Sequence, residues 1–114
     1  MKIQELLALV DGKVVTSSDY NSYDIEYGLA SDLMSDVLTF DVENSILITG
    51  LANLQTIRTL EMSDIECVII ARNKKVTPEM IELANEKQIT IIDSPYTIFR
   101  ISGILYENGI KPLY

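Results

Sequence analysis

The stretch Ile46-Leu47-Ile48-Thr49-Gly50 (residues 46–50) starts the pattern that decides the fold, because its apolar residues do not alternate with polar ones. Two further apolar runs follow, Cys67 to Ala71 and Ile89 to Ile92, and the three runs begin 21 and 22 residues apart. Strands that are apolar on both faces are typical of a parallel sheet covered by helices on each side. The runs therefore predict three neighbouring parallel strands.

A helical pattern follows each run. Its apolar residues are those of one helix face: Leu54, Ile57 and Leu60; Met80, Ile81, Leu83 and Ala84; Ile98, Ile101, Ile104 and Leu105. Thr77-Pro78 and Ser94-Pro95 each predict a hydroxyl N-cap with proline at the first helical position, and Asn108-Gly109 predicts a glycine C-cap. The alternation predicts a three-layer α/β fold, in which helices flank a short, mostly parallel sheet of about four to five strands.

The chain before residue 45 has a weaker pattern. Ile3 to Val10 predicts a short amphipathic helix, and Val14 with Val15 predicts a brief strand. Thr16 to Asp24 is polar and without period, which predicts an exposed loop.

A second short strand and a short helix are predicted next. Ile25 to Leu29 reads as the strand, and the helix face is formed by Leu33, Met34, Val37 and Leu38. Ser31 is the predicted N-cap, and Asp32 in the first turn would suit the helix dipole.

Composition limits the classes of function. The 114 residues are the usual length of one domain, so residues 1–114 are predicted to form a single domain. The net charge is −8, and residues 1–57 carry only two lysines against nine acidic residues. Because nucleic acids and anionic membranes are bound by clustered bases, both are poor partners. No apolar run approaches the roughly 20 residues of a membrane span, so a soluble, cytoplasmic protein is expected.

Reactive side chains are scarce. The chain has no histidine and one cysteine, Cys67, so it lacks the commonest general base and can form no intrachain disulfide. Cys67 lies in an apolar run, where a buried thiol is inert. We therefore expect no catalytic residue, metal or cofactor.

Residues 27–37 read YGLASDLMSDV and are similar to the segment that opens the conserved part of stand-alone DRTGG-domain proteins. The order of the later segments matches as well: Ile46 to Gly50, Cys67 to Ala71, Lys75 to Glu79 and Ile89 to Asp93. The resemblance covers essentially the whole chain and is strongest over residues 27–107. The sequence thus resembles that family.

Related domains lie beside the kinase domain of HPr kinase and between the CBS modules of regulated pyrophosphatases. The resemblance implies a non-catalytic regulatory or scaffolding domain that forms a homodimer and contacts a protein partner. It does not carry kinase activity over, because the sequence has no G-x-x-x-x-G-K-[ST] loop to bind phosphates. Stand-alone relatives often accompany redox enzyme systems, which implies a partner from a redox or metabolic system. The naming string Asp-Arg-Thr-Gly-Gly is absent, and residues 71–75, ARNKK, stand where the resemblance places a glycine pair.

Ligands of open parallel sheets bind beyond the carboxyl ends of the strands, near helix N-termini. The candidate ligand-binding residues at that edge are Thr49, Gly50, Asn53, Arg72, Lys74, Lys75 and Ser94. The three bases would suit an anion such as the phosphate of an adenine nucleotide, so a small-ligand sensor is the alternative function. The other interpretation of the basic segment is an ordinary solvated turn.

Candidate interface residues surround the predicted short helix, namely Tyr27, Ser31, Asp32, Ser35 and Asp36. Asp32 and Asp36 are four residues apart and would share a helix face, where two carboxylates are too few ligands for most metal sites. A solvated face or a dimer contact is therefore favoured, and an enzyme that uses these carboxylates ranks last.

Tyrosines cluster in and after the polar loop, at Tyr20, Tyr23 and Tyr27. Tyrosine is a favoured interface residue, so the cluster would suit a partner surface. Alternatively, the rings cover the edge of the sheet, and the sequence leaves both interpretations open.

Overall fold

A computed structural model describes residues 1–40 and 43–114. The helices are α1 (Ile3–Val10), α2 (Met34–Val37), α3 (Leu54–Met62), α4 (Pro78–Glu86) and α5 (Ile98–Glu107). The strands are β1 (Lys13–Val14), β2 (Tyr27–Ala30), β3 (Ser45–Thr49), β4 (Cys67–Ile70), β5 (Thr90–Asp93) and β6 (Lys111–Pro112). The described strands form one sheet in the order β1-β5-β4-β3-β2-β6.

The sheet is parallel except at one edge. Strands β2 to β5 pair in parallel, as does β6 with β2, whereas β1 runs antiparallel to β5. The register places Ile46 beside Cys67 and Cys67 beside Thr90, so the three apolar runs lie side by side. The predicted fold class is confirmed, with six strands among the described residues because a short strand follows α5.

Each face of the sheet carries its own apolar core. Ile46, Ile48 and Ile69 point to the face covered by α1 and α5. Leu47 and Val68 point to the opposite face, which α2, α3 and α4 cover. All of these side chains are buried, because consecutive residues of a strand face opposite sides and both sides are covered.

Three helices begin at side-chain N-caps. The side-chain oxygens of Asn53, Thr77 and Thr97 accept hydrogen bonds from the backbone N–H groups of Thr56, Met80 and Arg100, at 3.0, 3.3 and 3.2 Å. The predicted Thr77 cap is confirmed.

The predicted Ser94 cap is wrong. The Ser94 hydroxyl donates to the Val10 carbonyl at 2.7 Å and accepts the Tyr96 N–H at 3.2 Å, so it joins α1 to the loop after β5. Helix α5 starts only after Thr97. The hydroxyl of a serine before a proline can cap the following helix or donate to a carbonyl from another part of the chain. Here it donates to the Val10 carbonyl, which is far away in the sequence but close in space.

The predicted start of the short helix is also wrong. Helix α2 begins at Met34, and the Ser31 hydroxyl accepts the Leu33 N–H at 3.0 Å within a turn before the helix. Leu33 and Leu38 are 57% and 48% exposed, so only Met34 and Val37 of the predicted apolar face are buried. Asp32 consequently lies outside the helix rather than in its first turn.

The end of α5 agrees with its predicted glycine C-cap. Gly109 has φ +98°, which glycine adopts without the steric cost of a side chain. The Ile110 N–H donates to the Leu105 carbonyl at 3.0 Å, and the Ile110 side chain is buried. This cap turns the chain into β6 beside β2.

The polar loop is a loop, as predicted, but it is held against the sheet. The Thr16 hydroxyl accepts the Ile91 N–H at 3.2 Å, and the Tyr23 hydroxyl donates to the Ser45 carbonyl at 2.6 Å. Burial raises the pKa of Tyr23, and its ring packs against the core together with that of Tyr20. For these two tyrosines the structure favours the covering interpretation.

Candidate functional site

The carboxyl ends of β2 to β5 lie at one edge of the sheet, here called the carboxyl edge. Thr49 ends β3, Arg72 follows β4 and Ser94 follows β5, so the structure brings these three predicted ligand residues to a common edge. Their neighbours Gly50, Lys74 and Lys75 lie in the loops that leave it.

The side chain of Asp32 binds the chain at the end of β3. One of its carboxylate oxygens, Oδ1, accepts the Thr49 hydroxyl at 2.7 Å and the Gly50 N–H at 2.8 Å. The Leu51 N–H in turn donates to the Thr49 hydroxyl at 3.1 Å. The predicted ligand residues Thr49 and Gly50 therefore already bind a carboxylate of the same chain, which would repel an anion placed there.

Asp32 and Asp36 do not form the predicted pair on one helix, because Asp32 precedes α2 and Asp36 lies within it. Across the described residues, no group of three or more His, Cys, Asp or Glu side chains could hold a metal ion. Ser35 and Asp36 are exposed on α2, and Tyr27 is half-buried in β2. The interface role of these residues stays a prediction.

Asn53, another predicted ligand residue, has a structural role. Its side-chain oxygen accepts both the backbone N–H and the hydroxyl of Thr56, at 3.0 and 3.2 Å. The amide oxygen thus satisfies one of the free backbone N–H groups that open α3, as an N-cap does.

The basic segment forms a tight turn. Arg72 and Asn73 both have positive φ, 62° and 54°, and the Lys74 N–H donates to the Ala71 carbonyl at 3.4 Å. Two consecutive residues of positive φ characterise the type I′ turn, in which glycine and asparagine are favoured. The glycine pair expected from the family resemblance would suit this backbone, which the chain adopts without glycine.

Backbone hydrogen bonds tie this turn to the loop between β5 and α5. The Arg72 N–H donates to the Tyr96 carbonyl at 2.9 Å, and the Asn73 N–H donates to the Ser94 carbonyl at 3.0 Å. Because these N–H groups are already paired, an anion at the turn would depend on side chains. Arg72, Lys74 and Lys75 are all exposed.

Asp93 is the other acidic residue of this edge. It ends β5 opposite Lys13 of β1, and its Oδ1 atom is buried with no hydrogen-bond partner among the described residues. Together with Asp32, it places negative charge near both ends of the row of strand termini. The carboxyl edge is thus of mixed charge, and only the turn after β4 has an excess of bases.

A second surface, on α5, escaped the sequence analysis. Phe99 and Tyr106 are 90% and 69% exposed, although both are large and apolar or aromatic. Beside them, a groove of about 160 Å³ separates α5 from β2 and β6, and it is lined by Ser102, Leu105 and Gly28 among others. The sequence indicates this surface only through the seven-residue spacing of Phe99 and Tyr106, since residues two turns apart lie on the same face of a helix.

The Cys67 thiol is fully buried in β4, and burial raises its pKa. Its environment is the apolar core on the α1 and α5 side of the sheet. The structure thus gives this thiol the packing of a small apolar side chain.

Replacing Asp32 tests whether its carboxylate holds the end of β3. Asp32→Ala is expected to lower the free energy of unfolding by about 1–2 kcal/mol, because the Thr49 hydroxyl and Gly50 N–H lose their acceptor. Asp36→Ala is the matched control, with an expected change within about 0.5 kcal/mol at an exposed position. Urea denaturation measures both, and equal losses would contradict the role given to Asp32.

Replacing Arg72 tests the strain of the turn. Arg72→Gly is expected to raise the free energy of unfolding by up to about 1 kcal/mol, because a side chain at positive φ is disfavoured and glycine is not. Lys75→Gly, at a position without positive φ, should instead lower it by about 0.5–1 kcal/mol. Thermal or urea unfolding gives the sign of the change in the free energy of unfolding for each variant. Destabilisation by Arg72→Gly would show that the turn is not strained by the side chain at this position.

Comparison with known proteins identifies the family. No curated protein matches the chain. Among solved structures, the CBS and DRTGG domains of the regulatory region of Clostridium perfringens pyrophosphatase, complexed with the activator diadenosine tetraphosphate, match with a TM-score of 0.70 and 18% identity. The alignment covers 91% of this chain and 45% of that one, and at this identity it shows a shared fold.

The model of the HPr Serine kinase N terminus family matches residues 48–107, which is just over half of the chain. The matched region runs from the end of β3 to the end of α5 and includes the basic turn. It also agrees with the resemblance seen in the sequence. The chain therefore belongs to the HPr Serine kinase N terminus family, the DRTGG-type domain family.

Proposed function

We propose that this chain is a non-catalytic regulatory or scaffolding domain that acts through protein–protein contacts and forms a homodimer. The observation that carries the proposal is the exposed aromatic surface of α5, where Phe99 and Tyr106 project from the fold. Large exposed apolar patches on a folded domain mark sites of protein interaction. Aromatic side chains are also enriched in the buried centres of interfaces.

The charge distribution supports this assignment. The first half of the chain is strongly acidic, whereas the α5 surface combines apolar side chains with one base and one acid, Arg100 and Glu107. Contact through α5 would therefore keep the acidic part of the chain in solvent. The scarcity of reactive groups in the sequence, with no histidine and a buried Cys67, supports a role without catalysis. Within the described residues, no helix is long and apolar enough to cross a membrane.

The homodimer has a direct test. Multi-angle light scattering of the purified chain should give a mass near twice 12.8 kDa at high protein concentration, falling towards one chain on dilution. This follows because burying exposed aromatic surface between two copies is favourable and depends on concentration. A mass of one chain at every concentration would contradict the homodimer.

A second function, sensing of an adenine nucleotide or similar anion, is favoured by the exposed bases Arg72, Lys74 and Lys75 on one turn of the carboxyl edge. The structural neighbour of this fold was complexed with diadenosine tetraphosphate, which adds a nucleotide to test. The paired N–H groups of the turn and the carboxylate of Asp32 argue against Thr49 and Gly50 as phosphate ligands. The three side chains would have to bind the anion by charge.

A thermal-shift series with ATP, AMP and diadenosine tetraphosphate tests this function. A nucleotide at 100 times its dissociation constant should stabilise the fold by roughly 2.7 kcal/mol. The shift should disappear in a Lys74→Ala, Lys75→Ala double variant, because the anion loses two of its three bases. It should persist in Lys87→Ala, whose base lies at the end of α4 and pairs with Glu61. Unchanged melting with every nucleotide would exclude this function.

A further inference from the structure

Helix α5 carries an apolar stripe, here defined as Phe99, Ser102, Gly103 and Tyr106. These residues lie three and four apart, so they form one face of the helix. Phe99 and Tyr106 are 90% and 69% exposed, and no atom lies within 4 Å of where a side chain on Gly103 would begin. The stripe is therefore an open surface with bulky ends and a low centre.

The stripe borders the groove between α5 and the strands β2 and β6. Ser102 and Tyr106 belong to both, and the Ser102 hydroxyl is buried with no hydrogen-bond partner among the described residues. The groove is lined mostly by apolar atoms of residues such as Leu105 and Ile110. A side chain that projects from a partner helix would thus find an apolar recess next to the low centre of the stripe.

We propose that the apolar stripe binds the same stripe of a second copy of this chain, with the two α5 helices antiparallel. This inference rests on the proposed homodimer and states its geometry. A two-fold axis between Ser102 and Gly103 places Phe99 of each copy opposite Tyr106 of the other. The rings therefore pair at the two ends of the contact, and Gly103, which has open space around it, adds no side chain at its centre. Such an isologous contact closes after two copies.

Charge complementarity selects the second copy and the antiparallel direction. Arg100 and Glu107 are the only charged residues of α5, at opposite ends of the helix and on the same flank of the stripe. In the antiparallel pair, Arg100 of each copy lies near Glu107 of the other, and the opposed helix dipoles attract. In a two-fold parallel pair the charged flanks of the two copies lie on opposite sides of the contact, so Arg100 would not meet Glu107 of the other copy. Each copy has a net charge of −8, so contact through a face whose own charges cancel limits the repulsion between two copies.

The buried area agrees with a dimer of moderate strength. An aromatic side chain buries roughly 150–250 Å², so Phe99 and Tyr106 supply about 240–400 Å² per copy after allowance for their exposed fractions. A standard interface buries about 800 Å² per partner. The rest of the buried area therefore has to come from the groove, from Ser102 and from Arg100 and Glu107. Because the aromatic area is below that of a standard interface, the dimer should dissociate on dilution.

Charge reversal tests the geometry. Glu107→Arg should raise the dissociation constant of the dimer about tenfold, measured by sedimentation equilibrium, because two attractive pairs become repulsive. Arg100→Glu should raise the dissociation constant by a similar factor. It also removes the contact of the Arg100 guanidinium with the Tyr96 ring, 3.6 Å away. Glu107→Arg is therefore the variant that changes only the proposed charge pairs. The double variant with both reversals restores the opposite charges and should return the affinity to within about twofold of the unaltered chain.

Truncation of the aromatic ends is the second measurement. Phe99→Ala should raise the dissociation constant at least tenfold, as loss of an aromatic residue that anchors an interface does. Met62→Ala is the matched control, since Met62 is 66% exposed on α3 at the opposite face of the sheet and should change the affinity less than twofold. Both positions are exposed, so the variants should keep their fold, which circular dichroism checks.

The outcomes separate the inference from the proposed function. A dimer whose affinity is unchanged by Glu107→Arg and by Phe99→Ala overturns the α5 contact and leaves the homodimer standing. Weakening by both single reversals without recovery in the double variant overturns the antiparallel direction. A mass of one chain at every concentration overturns the homodimer and the α5 contact together.

Discussion

The burial of three neighbouring parallel strands on both faces is the constraint on which the rest of the structure depends. Strands β3 and β4 consist of buried side chains throughout, and β5 does so until its last residue. Such strands exclude water only if helices cover each face, and each helix must then return the chain to the same end of the sheet. The carboxyl edge, its loops and the outward surfaces of the helices all follow from this arrangement.

The carboxyl edge is largely satisfied by groups of the chain itself. Asp32 binds the end of β3, the Ser94 hydroxyl binds the end of α1, and backbone N–H groups of the basic turn donate to the loop after β5. These bonds stabilise the loops and leave few free donors for a ligand. The α5 surface differs, because it presents two exposed aromatic rings, whereas the carboxyl-edge atom that is buried without a partner among the described residues, Asp93 Oδ1, is an acceptor that would not bind an anion. This contrast is the physical reason for preferring protein contact over ligand binding.

Several local features of the fold could be predicted because their causes lie within a few residues. The Thr77 cap and the Gly109 turn are examples, since a hydroxyl before proline and a glycine after a helix each satisfy groups of the adjacent turn. The Ser94 cap was wrong for the converse reason, because its hydroxyl meets the Val10 carbonyl, which lies far away in the sequence. The Ser31 cap was wrong because α2 begins only at Met34, and the Ser31 hydroxyl instead accepts the Leu33 N–H in a local turn.

The sequence by itself determined the α/β class and the parallel direction of the central strands, because apolar periodicity and strand spacing are properties of the chain order. The family followed from the resemblance carried by particular segments, such as residues 27–37 and 46–50. Only the tertiary structure decided that Asp32 holds Thr49, that Tyr23 bonds to Ser45, and that Phe99 and Tyr106 stay in solvent. Each of these outcomes depends on which distant segment approaches a side chain, and such contacts form only when the sheet is assembled.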